Sequence, residues 1–257
     1  MPELPEIETI RRQLKPLVEG RAIRGCHVFD SRLGDFSDIV GEVVEKVNRV
    51  GKVLEILLSS ARSLVIQLRM SGSLFWQEGY FIPSRYSRFA LFFDTGTLEL
   101  NDPRRFATVA LREPLGAHES FFPGINDLPW ILAQAARRRI TVKEFLLDQR
   151  FFPGLGNIYA CEILFAAGLS PERKVCDVKE AEWLSLWEKA LPILKNAVSR
   201  RGTTVSDWRD LFGEKGENQR YLMVYKRNGA PCRRCGSLIV WKKIGGRGTY
   251  YCAICQE

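Results

Sequence analysis

The sequence predicts an α+β protein: an antiparallel β-sandwich with flanking helices over residues 1–122, a helix–two-turn–helix domain over 123–220, and a small four-cysteine module over 221–257. Three observations carry this reading. Between Gly20 and Leu111, short apolar runs are broken by turn residues, which favours sequential antiparallel strands over βαβ units. From about Asp127 the apolar residues recur at helical spacing. Near the end, Cys232-Arg233-Arg234-Cys235 and Cys252-Ala253-Ile254-Cys255 form two C-x-x-C pairs.

Composition sets the outer bounds. With 257 residues, 46% of them hydrophobic, the chain can bury a sizeable core and divide into domains. Apolar runs stay short of the ~20 residues that span a bilayer, and the first residues lack a basic region followed by an apolar core. A cytoplasmic protein without a membrane partner is therefore expected. The net charge of +8 suits a nucleic-acid binder but is weak evidence alone. Seven cysteines, an odd number, argue against a disulfide framework, and Cys26, Cys161 and Cys176 read as small buried residues. His27 and His118 give little material for a histidine base or a histidine-rich metal site.

Taken in order, residues 3–15 place Leu4, Ile7, Ile10 and Leu14 on one face of a helix that Pro16 and Gly20 should end. Residues 53–58 form a buried-type strand, and Leu64, Ile66 and Leu68 alternate with Val65, Gln67 and Arg69. Residues 89–93 are expected to pair with 97–100 across Asp94-Thr95-Gly96. In the second half, Thr141 and Glu144 form a capping box, and Leu146 and Leu147 end that helix. The glycine-punctuated turn Phe151-Phe152-Pro153-Gly154-Leu155-Gly156-Asn157 leads into a helix over 158–167, stopped by Gly168. Asp177 with Glu180 should cap a long helix that Pro192 kinks or divides. The cysteine pairs flank a hairpin with Ile244-Gly245-Gly246-Arg247-Gly248 at its tip.

Several stretches carry candidate chemistry. Pro2 follows the initiator Met, whose removal would leave a secondary amine. An α-amino group has a pKa of ~7.7–8.0, against ~10.4 for lysine, so it is a usable nucleophile near neutral pH. Glu3 and Glu6 lie beside it, suiting Schiff-base chemistry, although Pro2 and Pro5 equally suit a plain helix start. Lys52 heads an apolar strand, either as a solvated end charge or as a cation aimed into a cleft. Met70, Arg104 and Phe106 lie on two predicted loops, where apolar side chains beside arginine can wedge into a base stack; a turn with one buried Phe is the alternative. Arg137-Arg138-Arg139 is basic, and free N–H groups at the start of the 158–167 helix suit phosphate. Cys232, Cys235, Cys252 and Cys255 can supply four thiolates to one structural Zn2+, leaving no open position for metal catalysis.

Together these residues resemble the formamidopyrimidine-DNA glycosylase family, bacterial base-excision repair enzymes related to endonuclease VIII. The resemblance runs from Met1 to Gln256 and rests on Pro-Glu-Leu-Pro-Glu at the start, Met-Ser-Gly-Ser at 70–73, Asp-Pro-Arg-Arg-Phe at 102–106, Gly-Leu-Gly-Asn-Ile-Tyr at 154–159 and the terminal finger. It implies a bifunctional glycosylase and abasic-site lyase that removes oxidised purines from damaged double-stranded DNA, acting as a monomer at the bacterial nucleoid. It implies that Pro2 attacks C1′, that Glu3 serves acid/base steps, that Glu6 serves base recognition and that Lys52 holds phosphate and assists β-elimination. Asn157 and Arg247 would grip phosphates, with Arg247 also acting in the second elimination. Arg138 or Arg139 would make a basic DNA contact, and Met70, Arg104 and Phe106 would fill the gap in the duplex. Arg88 stands where a DNA-contacting histidine is common, Gln67 replaces another family histidine, and the connection over 111–130 is shortened. The segment 210–221 would be a loop closing over the extruded base, its backbone N–H groups donating to O6 of 8-oxoguanine. Activity on formamidopyrimidines and on 8-oxoguanine opposite cytosine is expected. An intact Pro2-Glu3 pair separates this reading from a lesion binder without catalysis and from an unrelated zinc-ribbon module.

Overall fold

The computed structural model describes residues 2–116 and 120–257; Met1, His118 and part of the shortened 111–130 connection lie outside them. The chain clusters into two units, one of residues 1–119 and 198–219, the other of 120–197 and 220–257. This differs from the division expected at 122 and 220. Residues 198–219 belong with the amino-terminal unit, and the cysteine module shares a unit with the helices.

In the first unit, helix α1 (Leu4–Val18) buries the expected face, with Ile10, Leu14 and Val18 fully enclosed. At ~1.5–3 kcal/mol for each buried aliphatic side chain, this face fixes the head of the chain in place. Pro16 lies within the helix instead of ending it. A proline in the last turn forfeits one hydrogen bond, which burial of the following Val18 offsets.

The sandwich has two four-stranded antiparallel sheets. One is ordered β1 (Gly25–Val28), β6 (Ser87–Phe93), β7 (Gly96–Asn101), β5 (Ser73–Gln77). The other is ordered β2 (Val44–Val50), β3 (Val53–Leu58), β4 (Ser63–Gln67), β8 (Thr108–Arg112). The hairpin expected at Asp94 forms, with Phe93 opposite Gly96 and Phe92 opposite Thr97. Inward residues of both sheets, including Val47, Ile56, Ile66, Leu91 and Leu98, meet α1 in one core.

The second unit holds helices α2 (Leu128–Ala136), α3 (Val142–Leu146), α4 (Asn157–Ala167) and α5 (Glu180–Ser199). The capping box is present: Thr141 N donates to Glu144 Oε2 at 3.0 Å, and Glu144 N to Thr141 Oγ1 at 3.2 Å. Two turns join α3 to α4, as Phe152 N donates to Asp148 O and Leu155 N to Phe152 O. Gly154 takes φ +94°, a left-handed conformation in the second turn that suits glycine. Gly168 stops α4 as expected, with φ +74°. The cap of α5 is shifted from Asp177 and Glu180: Glu182 accepts from Lys179 N at 2.7 Å, while Asp177 closes the preceding turn. Pro192 does not divide α5. Phe122, Phe145, Phe152, Trp183 and Trp187 pack edge-on or tilted around the centre of this unit.

Strands β9 (Val240–Ile244) and β10 (Arg247–Tyr251) form the cysteine hairpin, joined by Gly245 and Gly246, both at positive φ. Glu162 of α4 ties this module to the helices. Its carboxylate accepts N–H bonds from Met223, Val224 and Tyr225 at 2.8, 3.0 and 2.8 Å.

Candidate active site and nucleic-acid interface

In the first unit a cleft of about 380 Å3 is lined by Pro2, the 70–73 loop, Pro103, Arg104 and residues 206–208. Pro2 is buried against the unit, directly before the rigid start of α1. Glu6 reaches back to that start: its Oε2 accepts from Glu3 N at 2.9 Å and its Oε1 from Thr203 N at 2.7 Å. Each oxygen of Glu6 thus accepts a backbone bond, and the residue is 1% exposed. These bonds tie Thr203 to the start of α1.

Lys52 sits half-buried in the two-residue turn between Val50 and Val53. That turn is coupled to α1 by a fully buried arginine. Arg49 Nε meets Glu8 Oε2 at 3.1 Å, and its Nη1 donates to Gly51 O at 3.2 Å. Arg11 and Arg12 also bind Glu8. Sequence reasoning passed over Glu8 and Arg49, because nothing local distinguishes a charge that will be buried from a solvated one.

The two wedge loops are joined by one carboxylate. Buried Asp102 accepts from Ser71 Oγ at 2.6 Å and from the N–H groups of Arg104, Phe106 and Ala107 at 3.0, 2.7 and 2.7 Å. Burial raises its pKa, but these hydrogen bonds outweigh burial and hold it below the ordinary carboxylate value. Above the carboxylate, Met70 and Phe106 are 53% and 46% exposed, and the Arg104 guanidinium lies 4.6 Å from the Phe106 ring centroid. Met70 and Phe106 are thus exposed beside Arg104, and Phe106 is not the buried ring that the alternative reading placed there.

Arg88, expected at a DNA contact, is enclosed. It is 3% exposed, donates from Nε to Asp30 at 2.9 Å and from Nη1 to Ala107 O at 2.5 Å, and so braces the segment that carries Phe106. In the segment 210–221, expected to close over the base, several N–H groups are bonded within the first unit: Leu211 to Gln13, Phe212 and Glu214 to Asp210, Gly216 to Thr204, Glu217 to Arg200 and Asn218 to Gly202. Leu211 is fully buried in the sandwich core, which anchors this end of the segment.

In the second unit, Asn157 at the start of α4 donates from Nδ2 to Gly248 O at 2.9 Å, joining the helix to the strand that carries Arg247. Arg247 is exposed at the hairpin turn. Behind it, buried Lys143 donates to Thr249 Oγ1 at 2.5 Å, and Thr249 Oγ1 donates to Arg247 O at 3.1 Å. Gly245 packs so closely that an added Cβ would lie 2.4 Å from Glu144 Cγ. Arg138 is stacked 4.9 Å from Phe151 and bonded to Gln134, whereas Arg139 is exposed.

The sulfurs of Cys232, Cys235, Cys252 and Cys255 all lie within 4.8 Å of one another. Cys232 to Cys255 is 3.9 Å and Cys235 to Cys252 is 3.5 Å. Bonds of ~2.3 Å in a tetrahedron place ligand sulfurs ~3.8 Å apart, so the donor set fits one structural zinc ion.

A proline-headed β-sandwich with an exposed apolar–arginine wedge, a helix–two-turn–helix unit and a zinc finger define a DNA glycosylase. Family models match the chain over residues 1–109 (Formamidopyrimidine-DNA glycosylase N-terminal domain), 126–208 (Formamidopyrimidine-DNA glycosylase H2TH domain) and 229–257 (Zinc finger found in FPG and IleRS). The formamidopyrimidine-DNA glycosylases of Exiguobacterium sp. and Pelotomaculum thermopropionicum are each 36% identical to it, covering 100% of this chain and 100% and 99% of theirs. The MutM (Fpg) protein from Thermus thermophilus is similar in structure, with a TM-score of 0.89 and 34% identity over 99% of this chain and 98% of that one. A Lactococcus lactis Fpg in complex with DNA containing an abasic site gives 0.89 and 28% over 99% of each chain. The chain belongs to the formamidopyrimidine-DNA glycosylase family.

Proposed function

We propose that this enzyme excises oxidised purines, namely formamidopyrimidines and 8-oxoguanine, from double-stranded DNA and then nicks the strand at the resulting abasic site. The observation that carries the reading is Pro2 in the wall of a cleft it shares with Met70 and Arg104. A nucleophile there would meet an extruded nucleotide beside the side chains that occupy the vacated stack. A related Lactococcus lactis FPG mutant has been crystallised with Fapy-dG containing DNA, which supports the lesion class.

In this mechanism the Pro2 secondary amine attacks C1′, the C1′–base bond breaks, and the base leaves with a proton. Opening of the sugar ring, with Glu3 protonating the ring oxygen, gives an iminium between Pro2 and C1′. Loss of a C2′ proton expels the 3′ phosphate, which Lys52 holds. A second elimination, aided by Arg247, expels the 5′ phosphate, and water then releases Pro2. Asn157, Arg139 and Arg247 bind phosphates, Arg104 and Phe106 occupy the gap with Met70, and the enzyme works as a monomer on bacterial chromosomal DNA.

Borohydride tests the central step. Incubation with a duplex containing an abasic site, followed by reduction, should yield a covalent protein–DNA adduct that Pro2→Gly largely loses. Intact DNA binding with no adduct from the native chain would establish a lesion binder without catalysis instead.

A further inference from the structure

The loop between α3 and α4 turns twice before it delivers Asn157, and the two turns are held differently. In the first, Phe151 N and Phe152 N both donate to Asp148 O, at 3.1 and 3.0 Å. In the second, Leu155 N donates to Phe152 O at 3.2 Å while Gly154 takes φ +94°. The side chain of Gln149 closes this second turn. Its Oε1 accepts from Gly154 N at 3.1 Å, and its Nε2 donates to Leu155 O at 2.8 Å and to Leu147 O at 3.0 Å. One exposed residue thus binds three backbone groups, and it gives up rotamer freedom to do so where water would satisfy the same amide.

What these bonds fix is the backbone that enters α4. None of the described peptides is cis, and a trans peptide points its N–H away from its C=O. Holding Leu155 O and Gly154 N on one amide therefore sets the planes of the 155–156 and 153–154 peptides together. Asn157 follows two positions after Leu155 as the first residue of α4, and its Nδ2 donates to Gly248 O at 2.9 Å on the strand that begins with Arg247. Gly156 between them has no side chain to restrain it, so Gln149 on one side and Gly248 on the other decide how Asn157 leaves the turn. We infer that Gln149 is a positioning residue for DNA binding: its amide locks the second turn so that Asn157 and the first N–H groups of α4, which have no partner within the helix, converge on one phosphate of the strand. Gln149 itself touches no phosphate. This rests on the proposed phosphate contact of Asn157.

The test is a double-mutant cycle on DNA affinity, read by fluorescence anisotropy with an abasic-site duplex at one fixed salt concentration. The native chain is compared with Gln149→Met, which keeps the length of the side chain without its donor, with Asn157→Ala and with the double variant. Affinity is expressed per zinc-loaded chain, so that an unfolded fraction does not count. Each single variant should bind about tenfold more weakly, the low end of what a hydrogen bond to a charged group is worth. The double variant should also be about tenfold weaker, well short of a hundredfold, because both changes remove the same contact. In nicking of the abasic site, Gln149→Met should raise KM and leave kcat unchanged, as loss of binding common to substrate and transition state does. Native affinity in Gln149→Met, a hundredfold loss in the double variant, or a fall in kcat at constant KM would overturn this inference and leave the contact of Asn157 standing. Native affinity in Asn157→Ala would instead remove that phosphate contact, and this inference with it.

Discussion

Glu8 shows at the scale of one residue how the site is held. Burial opposes its charge, but hydrogen bonds from Arg11 and Arg12 and the charges of Arg11 and Arg49 prevail and bring its pKa from the ordinary 4.5 to about 2. Because the folded value lies below the unfolded one, the stabilisation is complete above about pH 4.5 and is lost as the pH falls towards 2. Glu8→Gln should therefore be less stable than the native chain at neutral pH by roughly 3 kcal/mol, since Arg49 keeps its burial and loses its counter-charge. That gap should narrow steadily below pH 4.5. Denaturant unfolding at several pH values checks this, and a gap that stays constant into acid would show that the charge pair contributes nothing. A second readout is abasic-site nicking, which should weaken in the variant because Arg49 also holds the turn that carries Lys52.

Among the elements, those fixed by local chemistry were the legible ones. The Thr141 and Glu144 cap, the Gly168 stop and the two-residue turn at Gly245 and Gly246 each depend on neighbours within a few residues, and each formed as read. The cap of α5 was misplaced because Asp177, the better capping side chain, closes the preceding turn, while Glu182, held by Arg173, takes the N–H of Lys179. The enclosure of Arg88 had no local sign either, because its partner Asp30 lies far away in sequence. The finger is the element whose chemistry separates most cleanly from its fold. Cys235→Ser should lose zinc and unfold the hairpin, because thiolate coordination supplies the folding energy of a unit too small for its own core. Arg247→Ala should keep zinc, measured by metal analysis, and lose DNA affinity. Equal zinc loss in both would give Arg247 a structural role.

For the whole molecule, the four-cysteine finger was legible in the sequence, but the return of residues 198–219 to the sandwich was not. That return depends on contacts such as Glu6 with Thr203 and Gln13 with Asp210, between residues nearly two hundred positions apart, which no periodicity announces. The net charge of +8 was legible from the start, yet charge alone does not say which cations meet phosphate. The structure separates two neighbours on this point. Arg138 spends its guanidinium on the Phe151 ring and on Gln134, while Arg139 is exposed. Each phosphate neutralised on B-form DNA adds about 0.9 to the slope of log K against log salt. Arg139→Ala should therefore lower the magnitude of that slope by about 0.9, uniformly across lesion and undamaged duplexes, when binding is followed by fluorescence anisotropy over a salt series. Arg138→Ala should leave the slope nearly unchanged and instead lower the melting temperature, because it removes a cation from an aromatic face worth about 0.5–2 kcal/mol. If the two variants lost slope equally, the stacked arginine would be reaching the backbone as well, and packing would not be what distinguishes them.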